Sequence, residues 1–169
     1  MQNKFKEISP EALTQNPFHM IGKTWMLITA QKGDEINTMT ASWGGVGIMW
    51  NKPVAFIFVR PTRHTYSFLE QSEALSLNFL PEAYRKDLQY CGSVSGRDEN
   101  KIEKCGFTVS KEQSAPYFAE ADTVLLCKKH YAQMLNAEGF IHPEMDEKCY
   151  GDKNYHKLYI VEIEKVLQK

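Results

Sequence analysis

The sequence predicts a mainly β domain, a closed or split antiparallel barrel with short helices at its edges. Three observations carry that expectation. Apolar, β-branched runs recur along the chain and outnumber helical patterns. The helical patterns are short and scattered and do not alternate one-for-one with strands, which disfavours a doubly wound parallel sheet. Gly33-Asp34 between two apolar runs marks a hairpin, an antiparallel device.

In chain order, residues 1–20 read as an irregular lead-in broken by Pro10 and Pro17. Thr24 to Ala30 reads as a first strand and Asn37 to Ala41 as its return. Gly44, Gly45 and Gly47 read as a loop that needs unusual backbone angles or close approach. Pro53 to Arg60 contains six consecutive apolar residues, Val54 to Val59, and reads as a buried central strand. A short helix is expected from His64 to Gln71, and a strand from Ala74 to Leu80. Glu82 to Cys91 and Asn100 to Cys105 read as helices, the second closed by Gly106. Asp122 to Met134 is a long strand candidate. The segment 136–154 is polar and loop-like, and Tyr155 to Val166 alternates as a final strand. No repeat, low-complexity tract or linker divides the 169 residues, so one domain spanning 1–169 is expected.

A formal net charge of -1 argues against a dedicated nucleic-acid binder. No apolar run approaches membrane-spanning length, and MQNKFKEISPEAL lacks the apolar centre of a signal peptide, so a cytoplasmic location is expected. Cys91, Cys105, Cys127 and Cys149 are widely spaced without a CxxC, which fits reduced thiols. Cys127 and His130 alone do not make a metal site, and none is expected. Gly22-Lys23-Thr24 imitates the end of a P-loop, but Pro17 stands where that motif needs glycine. HExxH and GxSxG are absent.

The stretch with chemistry in it is Asn37 to Thr65. A small, hydroxyl-rich segment (Thr38, Thr40, Ala41, Ser42) leads into the glycines. The central strand then ends in Arg60-Pro61-Thr62-Arg63-His64-Thr65, just before a helix. Two arginines, two threonines and the free N–H groups of a helix start are what a phosphate needs. The plain alternative is solvated charge closing a strand, with a threonine capping a helix. A second element, Ser93-Val94-Ser95-Gly96-Arg97-Asp98-Glu99-Asn100-Lys101, again offers hydroxyls, glycine and cations at a helix start. Together they point to a phosphorylated cofactor.

TMTASWGGVGIMWNKPVAFIFVRPTRHT, SLNFL, YCGSVSGRDENKIEKCG and YHKLYIVEIEKV together resemble the flavin reductase-like family of FMN-binding split-barrel proteins, which includes flavoredoxin. The resemblance runs from about Gly22 to Val166. It implies an antiparallel FMN-binding split β-barrel and a homodimer with cofactors near the interface. It also implies a flavin N5 that accepts hydride from NAD(P)H in true reductases. In flavoredoxin-like members FMN relays electrons to another protein or acceptor.

By position, Thr40, Ala41, Ser42 and Trp43 resemble the segment along the isoalloxazine. Arg60, Arg63, His64 and Thr65 resemble the phosphate-holding turn, and Asn78 and Phe79 lie on the following strand. Ser95, Gly96 and Lys101 match a loop approaching the cofactor. His156 matches a histidine near the open flavin face, the candidate catalytic residue. Val161 stands where that ending usually has glycine. Both an NAD(P)H-dependent enzyme and an electron carrier with little nicotinamide oxidation remain open.

Overall fold

The computed structural model describes residues 5–169. Among the described residues ten strands and five α-helices follow in order: β1 (Lys6–Ile8), α1 (Pro17–His19), β2 (Met26–Lys32), β3 (Glu35–Ala41), β4 (Gly44–Met49), β5 (Lys52–Val59), α2 (His64–Gln71), β6 (Ala74–Phe79), α3 (Arg85–Ser93), α4 (Lys101–Lys104), β7 (Val109–Ser110), β8 (Tyr117–Phe118), β9 (Thr123–Met134), α5 (Pro143–Tyr150) and β10 (Lys157–Gln168). The main sheet has the order β3-β2-β6-β9-β10-β5-β4 and every pairing in it is antiparallel. β1 pairs with the end of β10, beyond the stretch that β5 occupies. Among the described residues β3 and β4 do not pair, so the curled sheet stays split between them.

Local chemistry explains the connections. β2 and β3 close Lys32 onto Glu35 across Gly33-Asp34, and Gly33 takes a φ of 58° that suits a glycine-first hairpin loop. β4 and β5 close Met49 onto Lys52, with Trp50 and Asn51 both at positive φ. β5 buries Val54, Ala55, Ile57 and Val59 against β10, whose Tyr159, Val161 and Val166 are also buried. A second apolar cluster forms where α3 packs Leu88 and Cys91 near Phe107, Phe118 and Leu126.

α2 spans the residues expected of it, and β6 and β9 agree within one residue. Four readings are corrected. β1 and α1 lie in the supposed irregular lead-in, of which residues 1–4 fall outside the described part. The glycine stretch is a strand. Gly44 at φ 151° lies so close to the Phe56 carbonyl that an added Cβ would come within 2.6 Å of its oxygen, so the expected close approach holds at Gly44, within a strand rather than a loop. The expected helix from Glu82 is a short 3-10 turn at Glu82–Tyr84 followed by α3. The segment 136–154 contains α5, which starts with a proline and carries Glu144 and Asp146 in its first turn. No described helix is long and apolar enough to cross a membrane, and no described cluster of three metal-ligating side chains occurs.

Candidate functional site

The end of β3, the end of β5 and the start of β10 converge on a cavity of about 390 Å³, lined by Thr40, Ala41, Ser42, Trp43, Phe58, Arg60, Arg63 and His156 along with Met39. A cavity of about 170 Å³ adjoins it through Arg63 and is lined by the turn 62–65, residues 93–96 and Lys101. The first is of a size seen in small-molecule sites, about 300–1,000 Å³. Twelve of the expected site residues fall in these two cavities.

The smaller cavity gathers groups whose chemistry suits an anion. Lys101 is 3 % exposed, and its ammonium donates to the Cys91 carbonyl at 2.9 Å. Burial pulls its pKa down to about 8. Thr65 is buried and its hydroxyl accepts from Asn37 Nδ2 at 2.8 Å, which leaves the hydroxyl proton for another partner. Among the described residues His64 Nδ1 is buried without a partner, and burial, then nearby Arg97 and Lys101, lowers the imidazole's pKa. α2 starts at His64 without a side-chain cap; Tyr66 N donates to the Arg63 carbonyl at 3.0 Å, and among the described residues the His64 and Thr65 amides have no acceptor. A buried cation with one carbonyl partner, an orphaned imidazole nitrogen and uncapped amides fit a bound phosphate.

Gly96 lets the loop close over this cavity. A Cβ there would stand 2.2 Å from Asn37 Oδ1 and 3.0 Å from His64 Cδ2. Arg63 plays a double part. Its guanidinium donates to Gly92 O at 2.8 Å and to Cys91 O at 3.4 Å, the unsatisfied carbonyl end of α3. The cation therefore ties α3 to the β5 exit while bordering both cavities.

The larger cavity has mostly flat and small walls. Thr40 is fixed by donating to the Leu88 carbonyl at 2.5 Å. His156 packs against Trp43 and Phe58, with ring centroids 5.1 Å and 6.5 Å away. Its Nδ1 meets the Tyr150 hydroxyl at 2.8 Å. Burial, then Arg60, pushes the His156 pKa down to about 4. Arg60 itself donates to Cys149 O at 3.1 Å and lies over the Tyr150 ring, 5.5 Å from its centroid. α5 thus braces one wall of the cavity.

The structure does not bring Asn78 and Phe79 to either cavity. Both are buried. The Asn78 amide donates to Leu27 O, Thr29 Oγ1 and Ser76 Oγ, and its oxygen accepts from Phe118 N, so it organises strand pairing. Strand alternation could not separate an inward polar residue that holds strands from one that meets a ligand. Tyr150 was missed because it lies in a polar stretch, although Pro143 followed by Glu144 was a legible helix start. A wider groove of about 730 Å³ shares His64 and Gly96 with the anion cavity. Asp34, Glu35, Asp98 and Glu99 line it, and their charge makes it a poor place for a phosphate.

Comparison with known proteins adds a family and a fold. A family model described as "flavin reductase like domain" matches residues 18–169. No curated protein sequence matches. Among solved structures, the FMN-binding domain of a flavin reductases-like enzyme from Shewanella baltica is similar at TM-score 0.72 and 19 % identity, over 99 % of this chain and 78 % of that one. Flavoredoxin from Methanosarcina acetivorans is similar at TM-score 0.67 and 19 % identity, over 97 % and 75 %. An NADH:FAD oxidoreductase from Streptomyces globisporus, in complex with NAD and FAD fragments, is similar at TM-score 0.64 and 15 % identity, over 86 % and 74 %.

Proposed function

The chain belongs to the flavin reductase-like domain family, and on that footing we propose that it binds FMN and acts as an oxidoreductase between NAD(P)H and a further acceptor. The observation that carries the proposal is the buried ammonium of Lys101, which among the described residues has a single carbonyl partner in a cavity beside a second, flat-walled one. A desolvated cation gains most from a matching anion. Lys101, Thr65, Ser95 and the amides at the start of α2 would hold the phosphate. Thr40, Ala41, Ser42, Trp43 and His156 would border the isoalloxazine, which supplies the hydride and electron chemistry when bound.

The chain's own contribution is orientation and exclusion of water. Thr40 is immobilised on α3, and Trp43 and Phe58 present apolar surface. His156 stays neutral near pH 7, so it contributes a hydrogen bond and no charge. No side chain need act as a nucleophile.

The whole chain is read as one domain, working as a cytoplasmic homodimer. What supports a dimer is the exposed apolar face along β4: Phe18 is 87 % exposed, Ile48 69 %, and Trp43 and Trp50 each 49 %. Trp43 belongs both to this face and to the flavin cavity, so a second copy packed there would also wall the cofactor.

Anaerobic addition of NADH or NADPH to the FMN-loaded protein tests the enzyme reading. Bleaching of the flavin within catalytic times is expected from at least one of them. The similarity to a flavoredoxin favours a second reading, an electron carrier that passes electrons to a partner protein. That reading takes over if dithionite bleaches the flavin and neither nicotinamide does.

A further inference from the structure

The His156 wall of the larger cavity contains a hydrogen bond with a definite chemical consequence. Tyr150 ends α5, is 4 % exposed, and its hydroxyl is 2.8 Å from His156 Nδ1. Its ring lies at 81° to the imidazole with centroids 5.5 Å apart, so the contact is edge-on and in reach of the ring nitrogen. Phe140 and Tyr155 flank Tyr150, at centroid distances of 5.7 Å and 5.1 Å, and Arg60 lies over its face. The phenol is therefore held from three sides. Among the described residues, His156 Nε2 has no hydrogen-bond partner and is not sealed from solvent, and His156 borders the cavity.

We infer that Tyr150 is a positioning residue that donates to His156 Nδ1 and so fixes the imidazole as its Nε2–H tautomer, a donor facing a co-substrate with a carbonyl or carboxamide oxygen. This rests on the flavin-site reading above.

The direction of the bond follows from elementary acidity. A phenol is a far stronger acid than a neutral imidazole N–H, and an unprotonated imidazole nitrogen is a better acceptor than a phenol oxygen. The Arg60 cation over the ring strengthens the phenol as a donor and discourages imidazolium formation. Burial raises the Tyr150 pKa, so the hydroxyl keeps its proton at neutral pH. With Nδ1 occupied, the one imidazole proton resides on Nε2. A pocket with a fixed donor favours ligands offering an oxygen acceptor and disfavours those offering only donors. A nicotinamide carboxamide satisfies that requirement, as does an aldehyde or ketone.

The test is nitrogen-15 NMR of histidine-labelled, FMN-loaded protein, which distinguishes the two tautomers directly. The chain has five histidines, and His156→Gln identifies the signal by its loss. At pH 7 the wild type should show a protonated Nε2 and an unprotonated Nδ1. In Tyr150→Phe, which keeps the ring and removes the donor, the second tautomer should become populated. Reduction by nicotinamide should slow by about three- to tenfold with FMN affinity unchanged, the effect of one lost neutral hydrogen bond. A protonated Nδ1 in the wild type, or an unchanged tautomer in Tyr150→Phe, overturns the inference. A wild type that no nicotinamide reduces overturns the enzyme reading, and the tautomer signals still decide the role of Tyr150.

Discussion

The Lys101 ammonium donates to the Cys91 carbonyl oxygen at 2.9 Å, and this is its one described acceptor. Cys91 lies near the end of α3, so the cation also meets the negative end of that helix. Such an arrangement holds the ammonium in place without satisfying it.

FMN binding should therefore depend on pH in a particular sense. Burial has pulled the free protein's Lys101 down to about 8. A bound phosphate favours the charged form and raises that value. Affinity should fall as pH rises from 7 through about 8, where the free protein releases the proton that binding requires. Riboflavin, which lacks the phosphate, should show no such fall. Titrations at pH 6, 7, 8 and 9 check this.

Arg63→Ala should weaken FMN binding and also lower stability. The guanidinium spans the Cys91 and Gly92 carbonyls; its loss leaves the part-buried Gly92 oxygen without its donor, while Cys91 O keeps the Lys101 ammonium. The expected cost is about 1–3 kcal/mol of folding free energy. Arg63→Lys should recover only part, because a point charge cannot span two carbonyls as a fork does. Urea denaturation of the cofactor-free protein measures the structural share separately from ligand binding.

Gly96→Ala should disturb the anion cavity from outside the ligand. The new methyl would meet Asn37 Oδ1 at 2.2 Å, and Asn37 is the donor that orients Thr65. Asn37 must move or the loop must open. Weaker FMN binding by about tenfold and a stability loss of about 1–3 kcal/mol are expected from the displaced hydrogen bond. Asn37→Ala in the same background should restore space without restoring affinity.

His156 should leave no inflection near pH 6.5 in the rate of flavin reduction. Burial and Arg60 hold its folded pKa at about 4, below the unfolded value. The sign for stability follows: between those two values the unfolded chain binds the extra proton. Stability contributed at this residue is complete above pH 6.5 and is lost as pH falls toward 4. A rate profile with a histidine-like step at 6–7 that disappears in His156→Gln would contradict this.

The gathering of residues around the smaller cavity was largely legible in the sequence because it is local. Arg63, His64 and Thr65 are consecutive at a strand-to-helix junction, and Ser95, Gly96 and Lys101 share one loop and helix start. Pairing of the two elements through the α3 carbonyls was not legible, since backbone acceptors carry no residue signature. β4 was hidden because glycine usually breaks strands, and here it serves contact with Phe56. Asn78 misled because its partners, Thr29, Ser76 and Phe118, come from three separate strands. α5 was masked by its polar composition, although only Asp146 and Tyr150 in it are buried.

If the cavity around Lys101 holds the phosphate of FMN, the lysine should matter to FMN and not to riboflavin. The most direct test is calorimetric titration of cofactor-free wild type and Lys101→Met with FMN and with riboflavin. A charge-assisted contact is worth about 1.5–3 kcal/mol, and each 1.4 kcal/mol is about tenfold. A loss of about ten- to a hundredfold is expected for FMN, with riboflavin binding nearly unchanged. Equal losses for the two ligands, or no loss for FMN, would contradict it and leave Lys101 as a strut for the end of α3.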